Sequence, residues 1–276
     1  YAQSGWSCMG PRQTAMTMML GSAYIELDYG GGYVDVWNDP AFVVPDYVFC
    51  LGKEPLKSNP DGLWGHALIE LMKRGSKLIM ADPRVNWLAT RADQVLQVLP
   101  GTDAALCLAI LNVLVDEDLV DHDFIEKWCY GYDELVERVQ GYTPEFAAAT
   151  CGISADDIRT CARKLGYDGV HHWSLLMGVA VDQNPNGCQV TQCLIAMAAI
   201  TGNLDVPGGT VVGVQMQFEM TGATDFMSEE LKNKCIGWDV YPIVKVLLNT
   251  THPDITLEAL ETGRPYELKM AWLDST

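Results

Sequence analysis

The chain has 276 residues, with 18 Lys and Arg against 36 Asp and Glu, for a formal charge of −18. Hydrophobic residues at 49% and charged residues at 20% describe a globular protein of one large or two medium domains and exclude intrinsic disorder. The acidic balance excludes a nucleic-acid or anionic-membrane partner, which needs a basic footprint, and the longest apolar run, 104–115, is broken by Asn112 and too short to insert in a bilayer.

The chain opens at Tyr1 with no methionine and no visible signal peptide, and is read as a processed or excised piece. Ser7-Cys8-Met9-Gly10-Pro11-Arg12 is a polar, glycine-flanked segment in which Arg12 favours the Cys8 thiolate. An ordinary loop cysteine and a ligand or nucleophile both remain open for Cys8. Tyr47–Leu51 is a short apolar run of the length of a buried strand, and 52–62 is a loop with two prolines. Apolar residues near helical spacing predict a helix over 63–74, stopped at Gly75. Lys77–Ala81 is a second buried strand closed by Asp82-Pro83-Arg84, and 94–99 alternates as a third. Pro100-Gly101 turns the chain, and Thr102 or Asp103 caps a helix over 104–115.

The stretch 121–166 reads as helical, with a cap and first-turn proline at Thr143-Pro144 and a capping box from Ser154 to Asp157. Strand character returns over 170–181, then comes a loop over 182–187 and an apolar helix over 189–200 ended by Thr201-Gly202-Asn203. Further strands are expected at 210–214 and 268–273. The alternation predicts an α/β fold: doubly wound, mostly parallel sheets with helices on both faces, whose ligands bind at the carboxyl ends of the strands. The expected division is a segment 1–45 carrying Cys8, a first α/β domain 46–166 and a second, truncated one 167–276.

Nine cysteines stand at 8, 50, 107, 129, 151, 161, 188, 193 and 235, and no two are spaced Cys-x-x-Cys, which removes zinc ribbons, ordinary iron–sulfur runs and thioredoxin-type pairs. Most lie among apolar neighbours and read as reduced core thiols. His171-His172 begins a strand, where alternation sends the rings to opposite faces, so a metal pair is not expected. His66, His122 and His252 read as surface or packing residues.

Four strand ends carry suggestive loops: Gly52-Lys53-Glu54-Pro55, Asp82-Pro83-Arg84, Pro100-Gly101-Thr102-Asp103 and Met177-Gly178. Glycine lets a backbone approach a phosphate, and an acidic residue at a strand end accepts from a ribose hydroxyl or a guanine amine. No Gly-x-Gly-x-x-Gly follows the first strand, which weakens a nicotinamide or flavin reading. Each loop alone is equally ordinary turn chemistry; four in succession on one sheet edge point to a nucleotide-bearing cofactor.

The order of these segments, from Cys8-Met9-Gly10-Pro11 through Gly52-Lys53-Glu54-Pro55, Asp82-Pro83-Arg84, Ala92-Asp93, Pro100-Gly101-Thr102-Asp103, Tyr142-Thr143-Pro144-Glu145 and Thr201-Gly202-Asn203-Leu204, resembles the dimethyl sulfoxide reductase superfamily. These are molybdenum or tungsten oxidoreductases carrying a bis(molybdopterin guanine dinucleotide) cofactor. The resemblance implies that Cys8 is the protein ligand to the metal, a thiolate suited to a sulfur-rich centre. It implies that Gly52, Lys53, Glu54, Pro55, Asp82, Arg84, Gly101, Asp103, Met177 and Gly178 belong to the loops that hold the guanine dinucleotide, with Asp82 reading the guanine or ribose.

It further implies a small-molecule substrate and two-electron or oxygen-atom transfer. The family's amino-terminal domain, which often holds an iron–sulfur cluster, and its carboxyl-terminal barrel have no counterpart in the sequence. The chain is therefore expected to be a central-domain fragment of a bacterial or archaeal catalytic subunit, inactive alone, working with its missing domains and with an iron–sulfur electron-transfer subunit. Formate dehydrogenases follow their metal ligand with His-Gly-Pro and place an arginine near the position of Val212; Met9-Gly10-Pro11 and Val212 here argue against formate as substrate. The alternatives are a non-catalytic electron-transfer scaffold of the same fold and a redox-neutral hydratase or transhydroxylase on the same cofactor.

Overall fold

Two apolar pentapeptides, Tyr47–Leu51 (β2) and Lys77–Ala81 (β3), lie side by side as parallel strands, register running from Tyr47 opposite Lys77 to Leu51 opposite Ala81. The computed structural model describes residues 9–21, 24–27, 40, 42–58, 63–170, 172–213, 226–242 and 251–271. The connection from β2 to β3 is a short helix Pro55–Ser58 (α2) and the helix Leu63–Lys73 (α3), the strand–helix–strand unit read from the sequence. Ahead of them stand a helix Gly10–Leu20 (α1) and a strand Tyr24–Leu27 (β1) that the sequence reading did not assign. Gln94–Leu96 (β4) joins β3, and Trp173–Met177 (β5) joins the other side of β2, so four parallel strands run in the order β4-β3-β2-β5.

Both faces of this sheet are covered. Strand alternation sends Phe49, Leu51, Ile79 and Leu175 into one core with the helices Asp103–Asp116 (α4), Ala155–Leu165 (α8) and Gly187–Ile200 (α9). Val48, Cys50, Leu78 and Met80 enter the other core, against Leu68 and Leu71 of α3. Each buried leucine contributes roughly 1.5–3 kcal/mol, and α4, apolar almost all round, lies in that core and is packed mainly by neighbouring helices. Between α4 and α8 the chain forms His122–Trp128 (α5), Tyr132–Val139 (α6) and Pro144–Cys151 (α7). The predicted caps hold at two of these starts: Thr143 accepts from the Phe146 N–H and Ser154 from that of Asp157. Thr102 makes no such bond; its hydroxyl donates to the Leu99 carbonyl.

The strand expected at 210–214 is present as Thr210–Gly213 (β6), which pairs antiparallel with β1 in a separate two-stranded sheet. Two expectations are corrected. The boundary at 166/167 does not divide the sheet, because β5 pairs with β2 along its full length; the compact unit runs Met9–Val214. The described part of 268–273, residues 268–271, is not a strand, and Met270 there is exposed. The second unit, Gln215–Thr276 together with Tyr1–Cys8, shows among its described residues the helices Glu229–Lys232 (α10) and Pro253–Thr262 (α11). Tyr241 and His252 stack with centroids 4.9 Å apart, and the Tyr266 hydroxyl donates to the Lys234 carbonyl. Among the described residues no helix is long and apolar enough to cross a membrane.

Candidate functional site

The register places four strand ends on one edge. Leu51, Ala81 and Met177 are level across β2, β3 and β5, and Leu96 of β4 lies opposite Ala81. The next residues continue the ladder: the Gly178 N–H donates to Leu51, the Gly52 N–H to Ala81 and the Asp82 N–H to Leu96, at 3.0–3.3 Å. Loops that the sequence separates by more than a hundred residues thus leave the sheet together.

Glycine is required where two of them meet. Gly52 has φ +63°, and a Cβ on Gly178 would fall 2.1 Å from the Gly52 carbonyl oxygen. Glu54 is buried at the end of β2, with Lys57 Nζ 3.3 Å from one oxygen and Arg84 Nη2 3.5 Å from the other. Asp82 is buried at the end of β3 and accepts from the Arg84 N–H at 2.7 Å, with Arg84 Nε at 3.6 Å. One arginine, its side chain 68% exposed, therefore spans two buried carboxylates. Lys53 Nζ lies 4.0 Å from the ring centroid of Trp64, in the first turn of α3. Pro55 is buried as the first residue of α2. Gly101, with φ +85°, has open space where a Cβ would sit.

Asp103 faces the loop after β5. Its Oδ2 accepts from Asn184 Nδ2 at 2.7 Å, and burial pushes its carboxyl above the ordinary range against the pull of that bond. In the same loop Asp182 is fully buried and accepts from the Arg12 N–H at 3.0 Å through Oδ1 and from Arg12 Nε through Oδ2. Burial raises the Asp182 carboxyl, opposed by these contacts with Arg12.

The sequence-derived residues do not all meet in the same way. Gly52, Glu54, Asp82, Arg84 and Gly178 gather at adjacent strand ends, and Asp103 joins them through Asn184. The Met177 side chain is buried in the apolar core, so only its backbone faces the edge. Cys8 lies outside the described residues, as does His171. The other eight cysteines are free thiols; burial raises Cys50, Cys161 and Cys193 to about 12, which makes them inert packing groups.

Sequence reasoning missed Asp182, Asn184, Asn86 and Trp64. Asp182 meets a partner 170 residues away, which no local signal announces. Asn86 resembles a turn cap, its Oδ1 accepting from the Ala89 N–H, and that Asn-x-x-Ala spacing is a readable signal.

The residues fit a ligand rich in acceptors. Asn86 Nδ2, on the loop after β3, and Trp64 Nε1, under Lys53, are buried N–H donors with no protein acceptor among the described residues. Buried donors are nearly always satisfied, and phosphate or purine oxygens satisfy such groups. Glu54, Asp82 and Asp103 supply acceptors for sugar hydroxyls or amines, and the open Gly101 backbone admits close approach.

A family model described as molybdopterin oxidoreductase matches residues 2–263. The alpha subunit of F420-dependent formate dehydrogenase 1 from Methanococcus maripaludis is 33% identical over 197 residues, covering 71% of this chain and 28% of that protein. Acetylene hydratase from Syntrophotalea acetylenica is 34% identical over 177 residues, covering 63% of this chain and 24% of that protein. The solved structure of acetylene hydratase from Pelobacter acetylenicus superimposes with a TM-score of 0.76 at 25% identity, covering 96% of this chain and 38% of that one. The chain thus spans about a quarter of the length of the curated relatives it matches.

Proposed function

Because the chain belongs to the molybdopterin oxidoreductase family, we propose that it carries the guanine-dinucleotide-binding centre of a bis(molybdopterin guanine dinucleotide) enzyme holding molybdenum or tungsten. The whole protein then performs two-electron or oxygen-atom transfer on a small molecule. The observation that carries this reading is the edge where four parallel strands end in register, with buried carboxylates and buried donors that lack an acceptor among the described residues.

The bound cofactor supplies a metal that cycles between two oxidation states two electrons apart. The chain's own residues bind and orient. Asp82, with its backbone fixed by the ladder to Leu96, presents a carboxylate oxygen to the guanine amine or ribose hydroxyl. Arg84 balances the charge of Asp82 and Glu54 and remains exposed enough to meet a pyrophosphate. Gly52, Gly101 and Gly178 let the backbone come close, and Asn86 and Trp64 donate to acceptors that none of the described residues provides. Cys8 donates a thiolate to the metal. The electron-transfer subunit, an iron–sulfur cluster and the remaining domains of a longer chain belong to the same proposal.

The experiment is metal and pterin analysis of the full-length protein from cells that make the cofactor. Near-stoichiometric molybdenum or tungsten with pterin and released guanosine monophosphate is expected; protein with neither metal nor pterin overturns the reading in favour of a non-catalytic scaffold. A redox-neutral hydration is the second reading, supported by the similarity to acetylene hydratase. Turnover with no exchange of electrons with a viologen dye would select it.

A further inference from the structure

Asn184 is buried in the loop after β5, and the backbone fixes which way its amide faces. The Asn186 N–H donates to Asn184 Oδ1 at 3.0 Å, and a main-chain N–H can only donate. The oxygen therefore sits on that side, and Nδ2 is the atom 2.7 Å from Asp103 Oδ2. An amide nitrogen can only donate in its turn, so Asp103 Oδ2 has to be an acceptor. The Gly187 N–H donates to the Asn184 carbonyl at 2.9 Å and closes the turn around this side chain.

The loop is braced on both sides of Asn184. At its start the Gly178 N–H donates to Leu51 at 3.0 Å and the Val181 N–H to Gly178 at 3.1 Å. Asp182, two residues before Asn184, accepts the Arg12 main-chain N–H at 3.0 Å through Oδ1 and Arg12 Nε through Oδ2. After it, a Cβ on Gly187 would fall 2.3 Å from the Val181 carbonyl oxygen, so the turn admits no side chain there. Asn184 is thereby delivered to Asp103, 81 residues earlier in the chain.

Asp103 is the first residue of α4, where a helix N-terminus favours negative charge. Burial opposes that charge and pushes the carboxyl up; the Asn184 bond pulls it down most, and the N–H of Asp103 itself less. Both of these are neutral donors. The titratable groups that feel Asp103 are the thiols of Cys107, one turn further along α4, and of Cys151, at the end of α7. Burial holds both above the ordinary thiol range, so neither brings a charge to Asp103. Glu54 and Asp82, by contrast, have arginine or lysine beside them. What favours the ionised form of Asp103 is chiefly one amide supplied by a distant loop.

We propose that Asn184 is a positioning residue of the nucleotide site: by donating to Oδ2 it keeps the Asp103 carboxylate in place as an acceptor for an N–H or O–H group of the bound guanine nucleotide. This rests on the reading of Asp103 as a group that accepts from the dinucleotide. Asn184 acts only through Asp103 and touches neither the metal nor the reacting atoms in this account. Retention of the nucleotide then depends on Asp103 being ionised, and Asn184 sets the pH down to which it stays so.

The test measures guanosine monophosphate retained by the full-length holoprotein after equilibration across a pH series, with thermal midpoints taken alongside. In Asn184→Ala the donor is gone, and the acid limb of retention is expected to move up by about one pH unit or more. A loosened loop alone would lower retention equally at every pH and leave the limb where it was. Asn184→Asp is close to isosteric and keeps the Oδ1 acceptor, so it carries the test should Asn184→Ala not fold. It donates only while the two carboxyls share a proton, so its guanine is expected to be lost as pH rises, where the parent keeps its own. An unmoved acid limb in Asn184→Ala, or no alkaline loss in Asn184→Asp, overturns the proposal. Asp103→Ala separates the two layers. Unchanged guanine in Asp103→Ala overturns the reading of Asp103 and the positioning proposal with it. Guanine depleted about tenfold there, beside parent-like profiles in the Asn184 variants, overturns the positioning proposal alone.

Discussion

Two buried polar regions border the four-stranded sheet, and they are built on different principles. Along the free side of β5 the groups are neutral and matched. Asn203 Oδ1 accepts from the Trp173 N–H, Thr210 Oγ1 from the Leu175 N–H and Thr201 Oγ1 from Trp173 Nε1, each at 2.9–3.0 Å. Ser174 donates to the Gly209 carbonyl at 2.7 Å. This seals a strand edge that would otherwise expose unpaired backbone. The carboxyl-terminal edge is charged instead: Glu54, Asp82 and Asp182 are buried against arginine and lysine, and Asn86 and Trp64 carry buried donors with no acceptor among the described residues. A buried polar set that satisfies itself serves the fold; one that keeps charge and unmet donors is arranged for something else.

The difference can be broken first at Asp182. Asp182→Ala leaves a buried guanidinium without this carboxylate, and a loss of about 3–5 kcal/mol in urea unfolding is expected. A loss below about 1 kcal/mol would mean that the pair is hydrated like a surface bridge. Next comes the sealed edge. Asn203→Ala or Thr210→Val orphans one backbone N–H of β5 and should cost about 1–3 kcal/mol each, with the cofactor content of the folded protein unchanged. Cofactor loss at constant stability in either variant would erase the distinction between the two regions.

The smallest effect is expected at Asp103, and it has a pH signature. Burial raises its folded pKa above the unfolded value, so between those two values the native state binds more protons and stability falls as pH rises through the window. Asp103→Asn removes the cost of the buried charge while its amide oxygen still accepts from Asn184. The variant should be slightly the more stable at neutral pH, and the gain should vanish as pH falls below the unfolded carboxylate range. Paired denaturation curves at neutral and acid pH check this; a gain that persists in acid contradicts burial as the cause.

Much of the parallel sheet was legible because its strands are short apolar runs bounded by Gly and Pro. Tyr47–Leu51 and Lys77–Ala81 match the observed strands residue for residue, with α3 across them as expected. The sequence reading made β5 too long, since apolar residues resume after Gly178 as Val179-Ala180-Val181 while Gly178 already starts the turn. α1 was missed although Pro11 sits at its start, because the cap comes from Asp182 and the local sequence offers only Met9. The pairing of β1 with β6 joins residues about 185 positions apart, beyond any periodicity. At the site, Gly52, Asp82 and Gly178 were readable as strand-end residues. Asp182 and Asn184 were hidden, because Asp182-Gln183-Asn184 looks like an exposed loop and its burial is a property of packing.

The central claim, that the carboxyl-terminal edge carries the guanine dinucleotide, is tested most directly by measuring guanosine monophosphate released from purified full-length protein, parent beside Asp82→Ala, under limiting cofactor supply. Loss of a charge-assisted hydrogen bond of roughly 1.5–3 kcal/mol predicts that the variant, still folded, retains about a tenth of the parent's guanine or less. Equal guanine content in the two proteins would contradict the assignment of Asp82 and, with it, of the edge it anchors.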